Sequence, residues 1–171
     1  MPNAEVIPAG TYNVRLIQNP ETEEPSFGVV PGTPGAEVAG LAVQEAMNTK
    51  ADEGRLTSSD TWAIRSTMGM LRRASYNALN DSSQPRDEVV LQGPTAAAFA
   101  EGLGALSMGV VDREKQLEAF PPDRRPPYAL ALSHDQETAR MAGAIQGELL
   151  DQARRLTEHQ RAAPYSRPNP S

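Results

Sequence analysis

Hydrophobic and polar positions alternate cleanly over Thr11-Tyr12-Asn13-Val14-Arg15-Leu16-Ile17. Tyr12, Val14 and Leu16 point one way, Asn13 and Arg15 the other, which is the period of a half-buried strand. Pro8-Ala9-Gly10 supplies the turn ahead of it. Downstream the spacing becomes helical. Val38, Leu41, Ala42 and Ala46 form one stripe, on a helix from Ala36 to about Asn48. Ile64, Met68, Leu71, Ala78 and Leu79 form the buried stripe of a second helix from about Ser59. Thr57, Ser58 and Ser59 offer capping hydroxyls there, and Asp60 suits the positive end of the helix dipole. Phe99, Leu103, Leu106, Val110, Leu117 and Phe120 keep helical spacing in a third, with Pro94 in its first turn and Thr95 as a cap. Ala142, Ile145, Leu149, Ala153 and Leu156 line a fourth, opened by a Ser133-to-Gln136 capping box and ending near Gln160. Glu88–Gln92 reads as a short strand, Phe27–Val30 as another candidate, and Tyr128–Leu132 as either a strand or a helix lead-in.

Helix breakers separate these elements. Residues 18–35 hold Pro20, Pro25, Pro31 and Pro34 with Gly28, Gly32 and Gly35, which predicts a long irregular loop. Gly102, Gly104 and Gly109 weaken the third helix by up to about 1 kcal/mol each, and mark a kink or a close approach by another backbone. Residues 121–127, with four prolines, predict a stiff extended linker, and residues 161–171 an extended tail with no core. The expected fold is α+β, mainly α: about four helices packed with two or three short strands. It forms a single domain over residues 1–160, with an irregular N-terminal loop and a C-terminal tail.

Composition narrows the picture. The 171 residues suit one domain, and the apolar fraction of 39% includes only three Phe, four Tyr and one Trp. So lean a core suits helices packed through small residues, or a chain that completes its core against a partner. The net charge of −6 argues against wrapping nucleic acid with the whole surface, though not against a local patch. With no cysteine, disulfides, zinc-thiolate sites and cysteine nucleophiles are excluded. Met1–Glu5 carries no basic or apolar signal region, and no apolar run approaches a membrane span, so a cytoplasmic or virion-associated setting is expected.

Motifs that carry chemistry are weak. Ala105-Leu106-Ser107-Met108-Gly109 resembles a nucleophile elbow with Ala for its first Gly, but an elbow follows a strand, and Ser107 sits within a helical stripe. Gly102-Leu103-Gly104-Ala105 lacks the third glycine of a dinucleotide loop. Gly32-Thr33-Pro34-Gly35 precedes a helix and could offer backbone N–H groups to an anion, without the Gly-Lys-Ser/Thr of a P-loop. His134, beside Asp135 and Glu137, lies roughly 37 Å from His159 on a straight helix, too far for a shared metal or acid–base site. No catalytic, cofactor-binding or metal residue is assigned, no cofactor is expected, and the balance leans away from an enzyme.

Two features point to binding. Arg65, Arg72 and Arg73 share one half of the second helix with Trp62 and Tyr76, and Lys50, Arg55 and Arg86 are near in sequence. Basic residues with aromatics suit nucleic acid, although Asp52, Glu53, Asp60, Asp81 and Asp87 nearly cancel the charge and a solvated face is the plainer reading. The Pro-rich segments form the second feature: already extended, they lose little entropy on lying along a neighbour, and Pro164, Tyr165, Arg167 and Pro168 are the candidate contacts of such an arm. Separately, Ile7-Pro8-Ala9-Gly10-Thr11-Tyr12-Asn13-Val14-Arg15-Leu16 resembles the opening strand of several phage-encoded proteins, some associated with single-stranded DNA. The resemblance stops by Asn19 and carries over no fold or functional residue. It implies only a phage or mobile-element source. The expected function is a non-enzymatic interaction or assembly protein, a small structural or accessory component of a phage-like particle. It would bind copies of itself or a larger assembly through apolar helix faces and Pro-rich arms. The alternatives are a nucleic-acid-associated accessory protein using the Arg-rich helix face, and an enzyme whose site is scattered in sequence. No membrane or small-molecule partner is expected.

Overall fold

The computed structural model describes residues 11–18, 25–81, 87–118 and 125–166, with the backbone alone over 109–118, 125–135 and 159–166. Among the described residues the chain forms three strands and four helices: β1 (Val14–Gln18), β2 (Pro25–Val29), α1 (Pro34–Asp52), α2 (Ser58–Asn80), β3 (Val89–Leu91), α3 (Gly93–Glu118) and α4 (Arg125–Ser166). This is the mainly helical α+β fold that the pattern predicts.

The strands pair antiparallel in the order β1-β2-β3. Register sets Val14 opposite Val29 and Leu16 opposite Phe27, while Phe27 faces Leu91 and Val29 faces Val89. These alternate positions make the inner face; Val14, Phe27, Val29 and Leu91 are buried. Phe27 meets Phe99 of α3 edge-on, ring centroids 5.0 Å apart.

α1 packs chiefly against α3. Thr33 caps α1: its Oγ1 accepts from the Ala36 N–H at 3.3 Å and donates to the Val30 carbonyl at 2.8 Å. Ala36, Ala39, Ala42 and Ala46 of α1, and Ala96, Ala98 and Gly102 of α3, are buried. Small side chains there bring backbones close: a Cβ on Gly102 would lie 1.7 Å from the Ala42 carbonyl oxygen. Of the two meanings the sequence leaves open for this glycine, the close approach is the one observed. The lean composition is thus used in helix contacts between small residues.

α4 covers the free edge of β1. Gln152 is buried; its Oε1 accepts from the Leu16 N–H at 2.7 Å and its Nε2 reaches the Val14 carbonyl at 3.5 Å. One turn earlier, Glu148 accepts from the Thr11 N–H at 3.1 Å. A side-chain amide thereby stands where the next strand's peptide would pair.

Several boundaries differ from the pattern. β2 lies inside the stretch read as a loop, and begins at Pro25, two residues before the strand candidate. Thr95 is not a cap: α3 begins at Gly93, and Thr95 is buried in its first turn. α4 begins at Arg125, so Ser133 lies inside the helix and no capping box opens it. Residues 125–127 of the expected linker form its first turn, where a proline's missing N–H has no partner to lose; residues 121–124 lie outside the described residues. The helix also continues through residues 161–166 of the expected tail, with Pro164 in its last turn. Leu79, read as buried, is exposed. No helix among the described residues is long and apolar enough to cross a membrane.

A groove between the first two helices

α1 and α2 run as a hairpin joined at one end by a short turn, in which Gly54 takes a positive φ of 69°. At the other end the turn ahead of α1 meets α2: the Gly32 N–H donates to Ser75 Oγ at 3.1 Å, and a Cβ on Gly32 would lie 3.0 Å from that of Ala78. Between these contacts the helices stand apart and leave a groove of about 810 Å³. Val43, Met47, Ile64 and Leu71 form its apolar floor. Gly40 and Gly69 line it from opposite helices, and a Cβ on either would meet nothing within 4 Å.

The reason for the opening is the narrowness of the buried stripe on α2. Over the 23 residues Ser58–Asn80 only Ile64, Leu71 and Ala78 are buried, a seven-residue repeat. Much of the rest of the helix is exposed or lines the groove. Trp62 is 74% exposed, Leu79 73%, Tyr76 69% and Met70 58%.

Charge is distributed unevenly. α2 carries Arg65, Arg72 and Arg73 against the single acid Asp60. The structure places Arg65 and Arg72 on the wall of the groove, while Arg73 lies outside it and exposed. Trp62 shares with Arg65 a shallow depression beside the groove; Tyr76 stays on the exposed side of the helix. None of the three arginines has an ion pair or hydrogen bond among the described residues. Glu37 lines the opposite wall and pairs with none of them. The other basic residues near in sequence do not join the cluster. Lys50 and Arg55 both face Glu101 of α3, at 3.9 and 3.7 Å, and Arg55 also pairs with Glu53, whose hydrogen bond raises its pKa. Arg86 lies outside the described residues.

The remaining candidates resolve plainly. Ser107 lies within α3, its Oγ 3.0 Å from both the Gly104 carbonyl and Gln146 Oε1, a helix–helix contact with no base bonded to it among the described residues. In the turn before α1 the Gly32 N–H donates to Ser75 and the Ala36 and Glu37 N–H groups to Thr33, and the Tyr12 carbonyl fills the space a Cβ on Gly35 would take. Glu137 is exposed on α4; the side chains of His134, Asp135 and His159 lie outside the described residues. Among the described residues no group of three or more His, Asp or Glu could hold a metal ion. Of the arm residues, Pro164 and Tyr165 belong by backbone to the last turn of α4, and Arg167 and Pro168 lie outside the described residues.

Sequence reading missed Gly40, Gly69 and the exposure of Leu79. The available signal was glycine inside a helix where no turn calls for it, a signal these two share with Gly143 and Gly147 of α4. No protein-family model matches the chain, and no curated protein or solved structure is significantly similar to it.

Proposed function

We propose that this protein is a non-enzymatic interaction module that engages a protein partner through α2 and the groove beside it. The observation that carries the reading is α2 itself: a helix with three buried residues that leaves Trp62, Met70, Tyr76 and Leu79 exposed beside arginines with no partner among the described residues. Trp, Tyr, Met and Arg are the side chains most enriched where proteins bind one another. An accessory place in a phage-like assembly is the setting suggested by the resemblance of Ile7–Leu16. The test is a photo-reactive amino acid at Tyr76, with a control at the exposed Glu158 of α4, in extract of the native host. Protein adducts from Tyr76 alone are expected; equal adducts from both positions, or none, would refute the reading.

A second reading rests on Trp62 and Tyr76 lying on the same helix as the three arginines, an arrangement suited to stacking and phosphate contacts on a single strand. The apolar groove floor and the acidic Glu37 wall weigh against it. Affinity for a fluorescent oligonucleotide that falls steeply with salt, and is lost in an Arg65→Glu/Arg72→Glu/Arg73→Glu variant, would favour it.

A further inference from the structure

We infer that the groove between α1 and α2 receives an amphipathic helical segment of a partner protein that bears carboxylates along one edge. The inference rests on the interaction reading above and names the chemistry of the partner.

Shape sets the first condition. From Arg65 to Leu79 the groove wall on α2 runs about 21 Å, roughly four helical turns. Val43, Met47, Ile64 and Leu71 give the groove an apolar floor, and at the end away from the Gly54 turn the Gly32 N–H, just ahead of α1, bonds Ser75 of α2. A long apolar trough of this kind suits an amphipathic helix, read through residues spaced three, four and seven apart.

The two glycines set the second condition. Glycine inside a helix is unfavourable relative to alanine, but its missing side chain leaves the backbone open to close approach. At Gly102 the approach is visible, since the backbone of Ala42 occupies the space. Gly40 and Gly69 face empty space from opposite walls. Nothing among the described residues fills it. A third helix lying between α1 and α2 would approach the two backbones at these points, as Ala42 approaches Gly102.

Charge sets the third condition and selects the partner. Arg65 and Arg72, seven residues apart, stand about 10.5 Å from each other along the helix. Both line the groove and neither has a partner among the described residues. Carboxylates spaced by two turns on the incoming helix match them, forming charge-assisted hydrogen bonds at the rim of the apolar floor. The edge facing Glu37 must be neutral or basic. A symmetric contact of α2 with α2 of a second copy would set these arginines against one another, and a nucleic acid would lay phosphates beside Glu37 and over apolar side chains.

The test uses two dye-labelled peptides of about 18 residues with the same apolar stripe. One carries Glu along the edge next to α2; the other carries Lys there. Fluorescence anisotropy with the full chain is expected to show the Glu peptide binding at least about tenfold tighter, with the order reversed in Arg65→Glu/Arg72→Glu. Gly40→Ala/Gly69→Ala is expected to melt higher than the parent yet bind the Glu peptide about tenfold more weakly, which separates a blocked groove from an unfolded protein. Equal affinity for the two peptides, binding unchanged in the glycine variant, or tighter binding of a single-stranded oligonucleotide would each overturn the inference. If neither peptide binds while Tyr76 still cross-links to a protein, the acidic helix is refuted and the interaction reading survives. If both fail, both readings fall.

Discussion

Arg15 and Glu88 clasp one another across Gly28. Arg15 Nε and a terminal nitrogen each donate to one oxygen of the Glu88 carboxylate, so β1 and the approach to β3 are tied over the strand between them. Gly28 lies between them because Arg15 pairs with Gly28 in register and Gly28 with Val90. A Cβ on Gly28 would lie 2.3 Å from the Glu88 carboxyl carbon.

That geometry makes the residue at this position a control on the ion pair. Gly28→Ala is expected to push the carboxylate aside and leave Arg15, whose side chain is only 25% exposed, without its partner. The expected loss is about 1–2 kcal/mol. Urea unfolding should show Gly28→Ala and Glu88→Ala costing similar amounts, and the double variant clearly less than their sum. The hydrogen bond to Glu88 holds the Arg15 guanidinium above its ordinary range. A raised pKa gives stability that is full below the ordinary guanidinium value and lost only as pH rises beyond it. Titration of Arg15 therefore contributes no change in stability near neutral pH.

Gly102 is the most constrained glycine of the α1–α3 contact. Gly102→Ala sets a methyl group against the Ala42 backbone, and backbone cannot rotate away as a side chain can. A loss of about 3 kcal/mol or more is expected, read as a sharply lowered midpoint in thermal unfolding.

Gly40→Ala and Gly69→Ala are expected to act in the opposite sense. Each adds a side chain to empty space and gains about 0.5–1 kcal/mol of helix stability. In calorimetry this should raise Tm by about 2–4 °C per kcal/mol for a chain of this size.

Gln152→Leu is expected to cost about 1–3 kcal/mol, because the Leu16 N–H loses its acceptor while remaining under α4. Amide exchange at Leu16 should accelerate more than at Val29, whose carbonyl and N–H belong to the middle strand.

The fold is legible where one period dominates. Val14 and Leu16 alternate as an edge strand must, and Ile64, Leu71 and Ala78 lie on the predicted face of α2. The groove is not legible, for two reasons. Leu79 follows Ala78 in sequence but sits about 100° further round the helix, and whether so narrow a stripe buries it depends on where the neighbouring helix lies. Gly102 and Gly69 are likewise indistinguishable as letters: one is pressed by a backbone, the other opens on a void. The start of α4 was hidden differently, since Ser133 and Gln136 are equally at home inside a helix that Arg125 has already begun.

The side-chain amide that α4 lends to β1 also bears on how copies of this protein meet. Sheets of separate molecules fuse by offering unpaired backbone at an edge, and along β1 the Leu16 N–H and the Val14 carbonyl are already occupied by Gln152. Fibre-like growth from that side would first require a long helix to detach, so α4 acts as a stopper on the sheet as well as part of its core.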